Sequence, residues 1–268
     1  STVVNNSGTI EAKTLRKNEK GRILLDGGDN GQVEVSGTLD ASGTENGQDA
    51  GNIKVIGQKT IVHDGTNLLA KGDVNGGKIE TSGDVLELGD NLNIDAKGVN
   101  GKAGEWLLDP LAVYINDDDK DPTAGLDSGT DKKTLDKSDI TSDTKVLYND
   151  PNKDGSNGAN ADSASVGVTW IKGSFVNEML TNGTDVKIQA ASTNGAASII
   201  LNSVINPTVG GSKKEATFTL EANRNIEIHK DIKANSEGGK LNVVLNANTN
   251  NDGIGAVIID ANIETNGG

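Results

Sequence analysis

The sequence predicts an all-β fold of the β-solenoid type, a parallel β-helix carrying one long inserted loop. Three observations predict it. Short aliphatic alternations recur along most of the chain, each closed by Gly, Asn or Asp, without a sustained 3.6-residue pattern between them. Aromatic residues make up 2% of the chain against 35 glycines, so a core has to be assembled from thin layers of Val, Ile, Leu and Ala. The outlines SGTIEA (7–12), SGTLDASG (36–43), GKIETSG (77–83) and NLNIDAKG (91–98) resemble one another. Repetition at this period, in strands with no helices between them, marks stacked coils.

Residues 1–115 form the first block of coils. QVEVSG, NIKVIG and KIETSG each follow a Gly-bearing turn; Val33 to Ile53 spans 53 − 33 = 20 residues and Ile53 to Ile79 spans 79 − 53 = 26. Residues 76–115 hold the densest alternation: Ile79, Val85, Leu86, Leu88, Leu92, Ile94, Leu107, Leu108, Val113 and Ile115. Residues 116–165 break the pattern. They are acidic and rich in Pro, Gly, Ser and Asn, with one apolar cluster at Val146-Leu147-Tyr148, too little to bury as a coil. From 166 to 268 the coils resume, in DVKIQA, ASIILNSVI, ATFTLEANRNIEIHKDIKA, KLNVVLNAN and GAVIIDANIETNGG. FTLEA and IEIHKDI read as consecutive strands of one coil. A short helical turn is expected only at Phe175–Leu180.

Composition bounds the function. The formal net charge of −14 disfavours nucleic acid and anionic membrane surfaces as partners. Without cysteine there is no disulfide framework or thiolate metal site. No apolar run approaches the ~18 residues of a membrane span, so membrane insertion is not expected. The first residues carry no signal-peptide pattern and the repeats are cut at both ends, so the sequence reads as part of a longer exported chain.

The most distinctive string is Gly104-Glu105-Trp106-Leu107-Leu108-Asp109-Pro110. On a strand, successive side chains face opposite sides, so Leu107 and Leu108 divide between the coil interior and an outer position beneath a loop. Trp106 is expected to cover an outer face, and Pro110, lacking a ladder donor, to end the strand.

GEWLLDP, preceded by GGKIETSG and followed by a polar insertion and short repeats ending in NGG, resembles the filamentous-haemagglutinin family. These are large exoproteins of two-partner secretion systems, and the high-molecular-weight adhesins of Gram-negative mucosal bacteria look most alike. LRKNEKGRILLDGGDNGQVEVSGTLDASG (15–43) is similar to the repeats that follow the secretion domain in that family. The resemblance covers the chain except residues 116–165. It implies a right-handed β-helical shaft, secreted or held on the bacterial cell surface, that attaches to host cells or other bacteria. The implied partners are a host-cell receptor or glycan and an outer-membrane transporter engaged through a secretion domain not included here. Toxins, haemolysins and haem-acquisition exoproteins share the shaft, so a non-binding spacer is one alternative.

Asp150, Asn152 and Asp154 with Gly155 form D-x-N-x-D-G, the first half of a calcium loop; the twelfth position is Ala161, with Asp162 next. Calcium is therefore the one cofactor to consider. Asp117, Asp119 and Asp121 repeat the spacing, with Pro122 in the glycine place. Asn182-Gly183-Thr184 and Asn5-Asn6-Ser7 are N-x-Ser/Thr sequons, and the resemblance implies glycosylation at Asn182 and Asn5. A polysaccharide lyase or hydrolase would need paired carboxylates on consecutive coils. Here nearly every coil ends in Asp, Asn or Glu, which turn chemistry explains more simply. His63 and His229 lie far apart, the Asp26–Gly31 run reads as a turn, and Lys71-Gly72-Asp73 reads as a chance tripeptide. An enzyme is not expected.

Overall fold

The computed structural model describes residues 2–16, 19–117, 120–128, 131–136, 168–192, 197–211 and 214–268. In chain order the first strands are β1 (Val3–Asn6), β2 (Thr9–Glu11), β3 (Arg22–Asp26), β4 (Gln32–Val35), β5 (Thr38–Asp40) and β6 (Asn52–Ile56). Next come β7 (Lys59–Val62), β8 (Asn67–Leu69), β9 (Lys78–Ser82), β10 (Val85–Leu88), β11 (Asn93–Asp95), β12 (Glu105–Asp109) and β13 (Ala112–Ile115). Two strands, β14 (Lys120–Ser128) and β15 (Asp131–Asp136), pair antiparallel as a hairpin within the insertion. Then follow β16 (Val168–Ile171), α1 (Gly173–Asn182), β17 (Asp185–Ala190), β18 (Ile199–Leu201), β19 (Glu215–Ala222) and β20 (Ile226–Ile228). The last are β21 (Ile232–Lys233), β22 (Lys240–Asn246), β23 (Val257–Ile259) and β24 (Ile263–Glu264).

Every third strand of the first block stacks in parallel on the one three before it, and the chain forms a β-solenoid of about seven turns. One face is β1-β4-β7-β10, a second β2-β5-β8-β11, and the third a seven-stranded sheet β3-β6-β9-β12-β17-β19-β22. This third sheet passes directly from β12 to β17, so strands on either side of the insertion share one ladder. The core is a set of rows running up the stack. Ile23, Ile53, Ile79, Trp106, Val186 and Phe218 are consecutive register partners, all under 5% exposed. Fully burying an aliphatic side chain is worth about 1.5–3 kcal/mol, and each coil buries its row only against its neighbours.

Register corrects the first spacing. Val33 partners Thr60 on one face, whereas Ile53 partners Ile23 and Ile79 on another. Along the third sheet the offsets are 52 − 22 = 30, 78 − 52 = 26 and 105 − 78 = 27 residues.

The chain departs from strict order where the insertion returns. β16 pairs with β13, on the opposite side from β18, and also lies against β10; there the Leu86 amide donates to Thr169 Oγ1 at 3.1 Å. A later segment thus fills a position below an earlier one. Beside it, α1 takes the place of the strand expected on the second face. Phe175, Val176, Met179 and Leu180 turn into the core. The helix supplies no N-cap side chain of its own; Asp117 Oδ1 accepts the Ser174 amide at 2.8 Å instead. Gly183, at φ 88°, closes its C-terminus in the left-handed conformation that glycine adopts without strain.

Ala112, Tyr114, Trp170 and Leu107 are buried yet lie outside the main core cluster. Tyr114 and Trp170 are register partners and meet edge to face at 4.9 Å, forming a second apolar patch on the outer side of this sheet.

Candidate functional site

Most residues of the GEWLLDP string have a structural task. At Gly104 a Cβ would lie 2.2 Å from the carbonyl oxygens of Ala96 and Gly77, so only glycine lets the coils approach. Glu105 faces out and pairs with Lys78 at 3.2 Å. Trp106, expected on an outer face, points inward instead: it is 1% exposed, and its Nε1 donates to Thr81 Oγ1 at 3.2 Å. The inward row of β12 is Trp106 and Leu108, leaving Leu107 on the outside between Glu80 and Lys187. Long charged side chains cover apolar neighbours with their stems, and Leu107 is 7% exposed. Pro110 follows the last strand residue.

The sequons fall in different settings. Asn5 is exposed on β1. Asn182 is half-buried, and its amide nitrogen, the atom a glycan would occupy, reaches Ile94 O at 3.4 Å. Thr184 Oγ1 accepts the Ala96 amide at 3.1 Å. Together they serve the backbone edge just above β11, where the helix has replaced a strand.

Asp150, Asn152 and Asp154 lie outside the described residues, as does Asp119. Asp117 is engaged with Ser174 and with Ser203 Oγ. Asp73 of the Lys-Gly-Asp tripeptide accepts the Gly47 amide at 2.7 Å and Asn100 Nδ2 at 3.2 Å. Among the described residues, no group of three or more His, Asp or Glu side chains is placed to hold a metal ion.

Two carboxyls are displaced from their ordinary range. Asp109 is pushed up to about 6, chiefly by burial and then by the charge of Glu80, with Lys187 opposing. Asp185 is also pushed up to about 6, by burial and by Glu105 and Glu215, against an amide bond from Thr217. Glu80 itself is held by Lys54 at 2.7 Å. His229 lies between Glu227 at 3.2 Å and Asp260 at 3.3 Å, bridging two coils.

A hollow of about 380 Å³ opens on the first face between β7 and β10, lined by Ile61, Val62, His63, Asp64, Glu87, Leu88 and Gly89. His63 Nε2 donates to Glu34 Oε2 at 3.1 Å, and this bond is the main cause holding the Glu34 carboxyl below its ordinary value. Glu87 pairs with Lys59 at 2.6 Å, and Asp64 Oδ1 accepts the Asp90 amide. His63 stands out in the sequence; its neighbours Asp64 and Glu87 do not. The coil offset reveals them: Ile61 and Glu87 are register partners 87 − 61 = 26 residues apart.

No protein-family model matches this chain, and no curated protein matches it. What the site can do therefore rests on its geometry.

Proposed function

We propose that this chain is a binding shaft of a large secreted or surface-exposed bacterial adhesin of the filamentous-haemagglutinin type, attaching to host cells or other bacteria through its lateral faces and the segment inserted after β13. The observation that carries this reading is the seven-stranded third sheet, whose outward row Leu24, Lys54, Glu80, Leu107, Lys187, Thr219 and Val244 runs unbroken past the insertion. Such a face offers a long contact area at little ordering cost, because the ladder has already fixed its backbone. The chain leaves the coil after β13 and re-enters at β16, which pairs with β13 in the same sheet, so the inserted segment is carried on a laddered frame. In this reading the shaft is exported through an outer-membrane two-partner transporter, the partner is a cell-surface receptor or glycan, and catalysis plays no part.

The test is binding of the purified chain to epithelial cells and to a glycan array, with and without calcium, beside a variant lacking residues 116–165. Attachment reduced by the deletion is expected. Attachment by neither form overturns the adhesive reading and leaves a spacer.

One observation favours a second reading, polysaccharide cleavage. Glu80 and Asp109 lie diagonally on adjacent strands, Glu80 paired with Lys54 at 2.7 Å and Asp109 raised to about 6 chiefly by burial, two carboxyls in the unlike surroundings that an acid and a base require. Release of reducing ends or unsaturated products from acidic and neutral polysaccharides, abolished by Asp109→Asn, would establish it; no release at pH 5–7 removes it.

A further inference from the structure

The floor of the hollow above β7 is aliphatic: Val62 is a core residue, Leu88 is half-buried against the core, and Ile61 lies half-buried beside them. Its rim is His63, Asp64 and Glu87. Each rim side chain has one polar atom engaged: His63 Nε2 with Glu34, Asp64 Oδ1 with the Asp90 amide, Glu87 Oε1 with Lys59. The remaining carboxylate atoms are Asp64 Oδ2 and Glu87 Oε2. Both accept hydrogen bonds and neither donates. Such a rim repels anions, and the net charge of −14 adds to that field. A saccharide presents acceptors as well as donors and would meet few donors here. An aliphatic stem ending in a cationic head matches both floor and rim.

We infer that this hollow is a subsite for a lysine or arginine side chain of a partner polypeptide. It rests on the reading of the lateral faces as binding surfaces and names the chemistry that one of them recognises. The aliphatic stem lies on Ile61 and Leu88, and the head takes hydrogen bonds and charge from Asp64 and Glu87.

The experiment titrates isotope-labelled protein with N-acetyl-arginine amide and N-acetyl-lysine amide, using N-acetylglucosamine as the neutral probe, at low and high salt. Amide shifts localised to residues 61–65 and 87–90 are expected with the cations. Binding should weaken as salt rises, and the apparent Kd should rise tenfold or more in Asp64→Asn/Glu87→Gln. That pair keeps the side-chain shapes and an acceptor for the Asp90 amide. No localised shifts with either cation, equal affinity in the double variant, or preferential binding of the sugar overturns the subsite. The two readings fail separately: a silent titration with cells still attached removes only the subsite, and saturable cation binding with no attachment removes only the adhesive role.

Discussion

At the residue scale, single side chains repeat along the stack and tie coil to coil. Asn93 Nδ2 donates to Asn67 Oδ1 at 2.9 Å, Asn75 Nδ2 to Asp49 Oδ1 at 2.8 Å, and Asn262 Nδ2 to Asp231 Oδ1 at 3.3 Å. The frequent Asn and Asp residues at coil ends are thus turn and ladder chemistry. Trp106 makes the sharpest stability prediction. Trp106→Ala leaves a cavity between Ile79 and Val186 and strands Thr81 Oγ1, which costs about 3–5 kcal/mol; a urea midpoint shift with an unchanged slope would report it. Asp109 and Asp185 predict a pH dependence. Both folded-state values, about 6, lie above the ordinary 3.8, so the folded chain holds their protons more tightly than the unfolded chain. Their contribution is fully present below about pH 4 and is lost as pH rises through about 6. Asp109→Asn/Asp185→Asn should therefore raise Tm at pH 7, with the gain shrinking toward pH 4. A constant difference across that range would contradict the assignment. The alternation of β12 was legible in the sequence, but the side Trp106 takes was not. Trp-Leu-Leu in succession allows either face, and the choice is fixed by Ile79 and Val186 in neighbouring coils.

At the scale of elements, α1 decides how the second face is interrupted. The apolar spacing of Phe175, Val176, Met179 and Leu180 made a helical turn legible in the sequence. Its start was not, because the capping carboxylate is Asp117, contributed from the far side of the insertion. Nor was the role of Asn182 and Thr184, whose sequon pattern points outward to modification while their side chains serve Ile94 and Ala96. Thr184→Val keeps the shape and removes the acceptor for a buried amide, a loss of about 1–3 kcal/mol. Hydrogen exchange at Ala96 should quicken in that variant more than at Ile53, two coils away; equal change at both would mean the bond carries no local weight. The break in pattern after residue 115 was plain in the sequence, whereas the return of β16 beneath β13 was not, since nothing local tells a strand which neighbour lies above it.

At the scale of the molecule, strands from the two sides of the insertion form one continuous ladder. The repeat outlines announced the solenoid. The coil length was harder to read, because turns of unequal length let successive offsets run from 26 to 30 residues while the core rows stay aligned. The chain contains no cysteine, so introduced pairs can be read without interference. Register partners on adjacent parallel strands lie within the ~4.4–6.8 Å Cα separation a disulfide requires, and strands one further apart do not. The most direct measurement is oxidation of Leu107→Cys/Lys187→Cys, which the ladder places side by side across the insertion, against Leu107→Cys/Thr219→Cys, one strand further up. Rapid, complete cross-linking of the first pair and little of the second is the predicted result. Equal cross-linking of both, or none in the first, would contradict a single continuous solenoid.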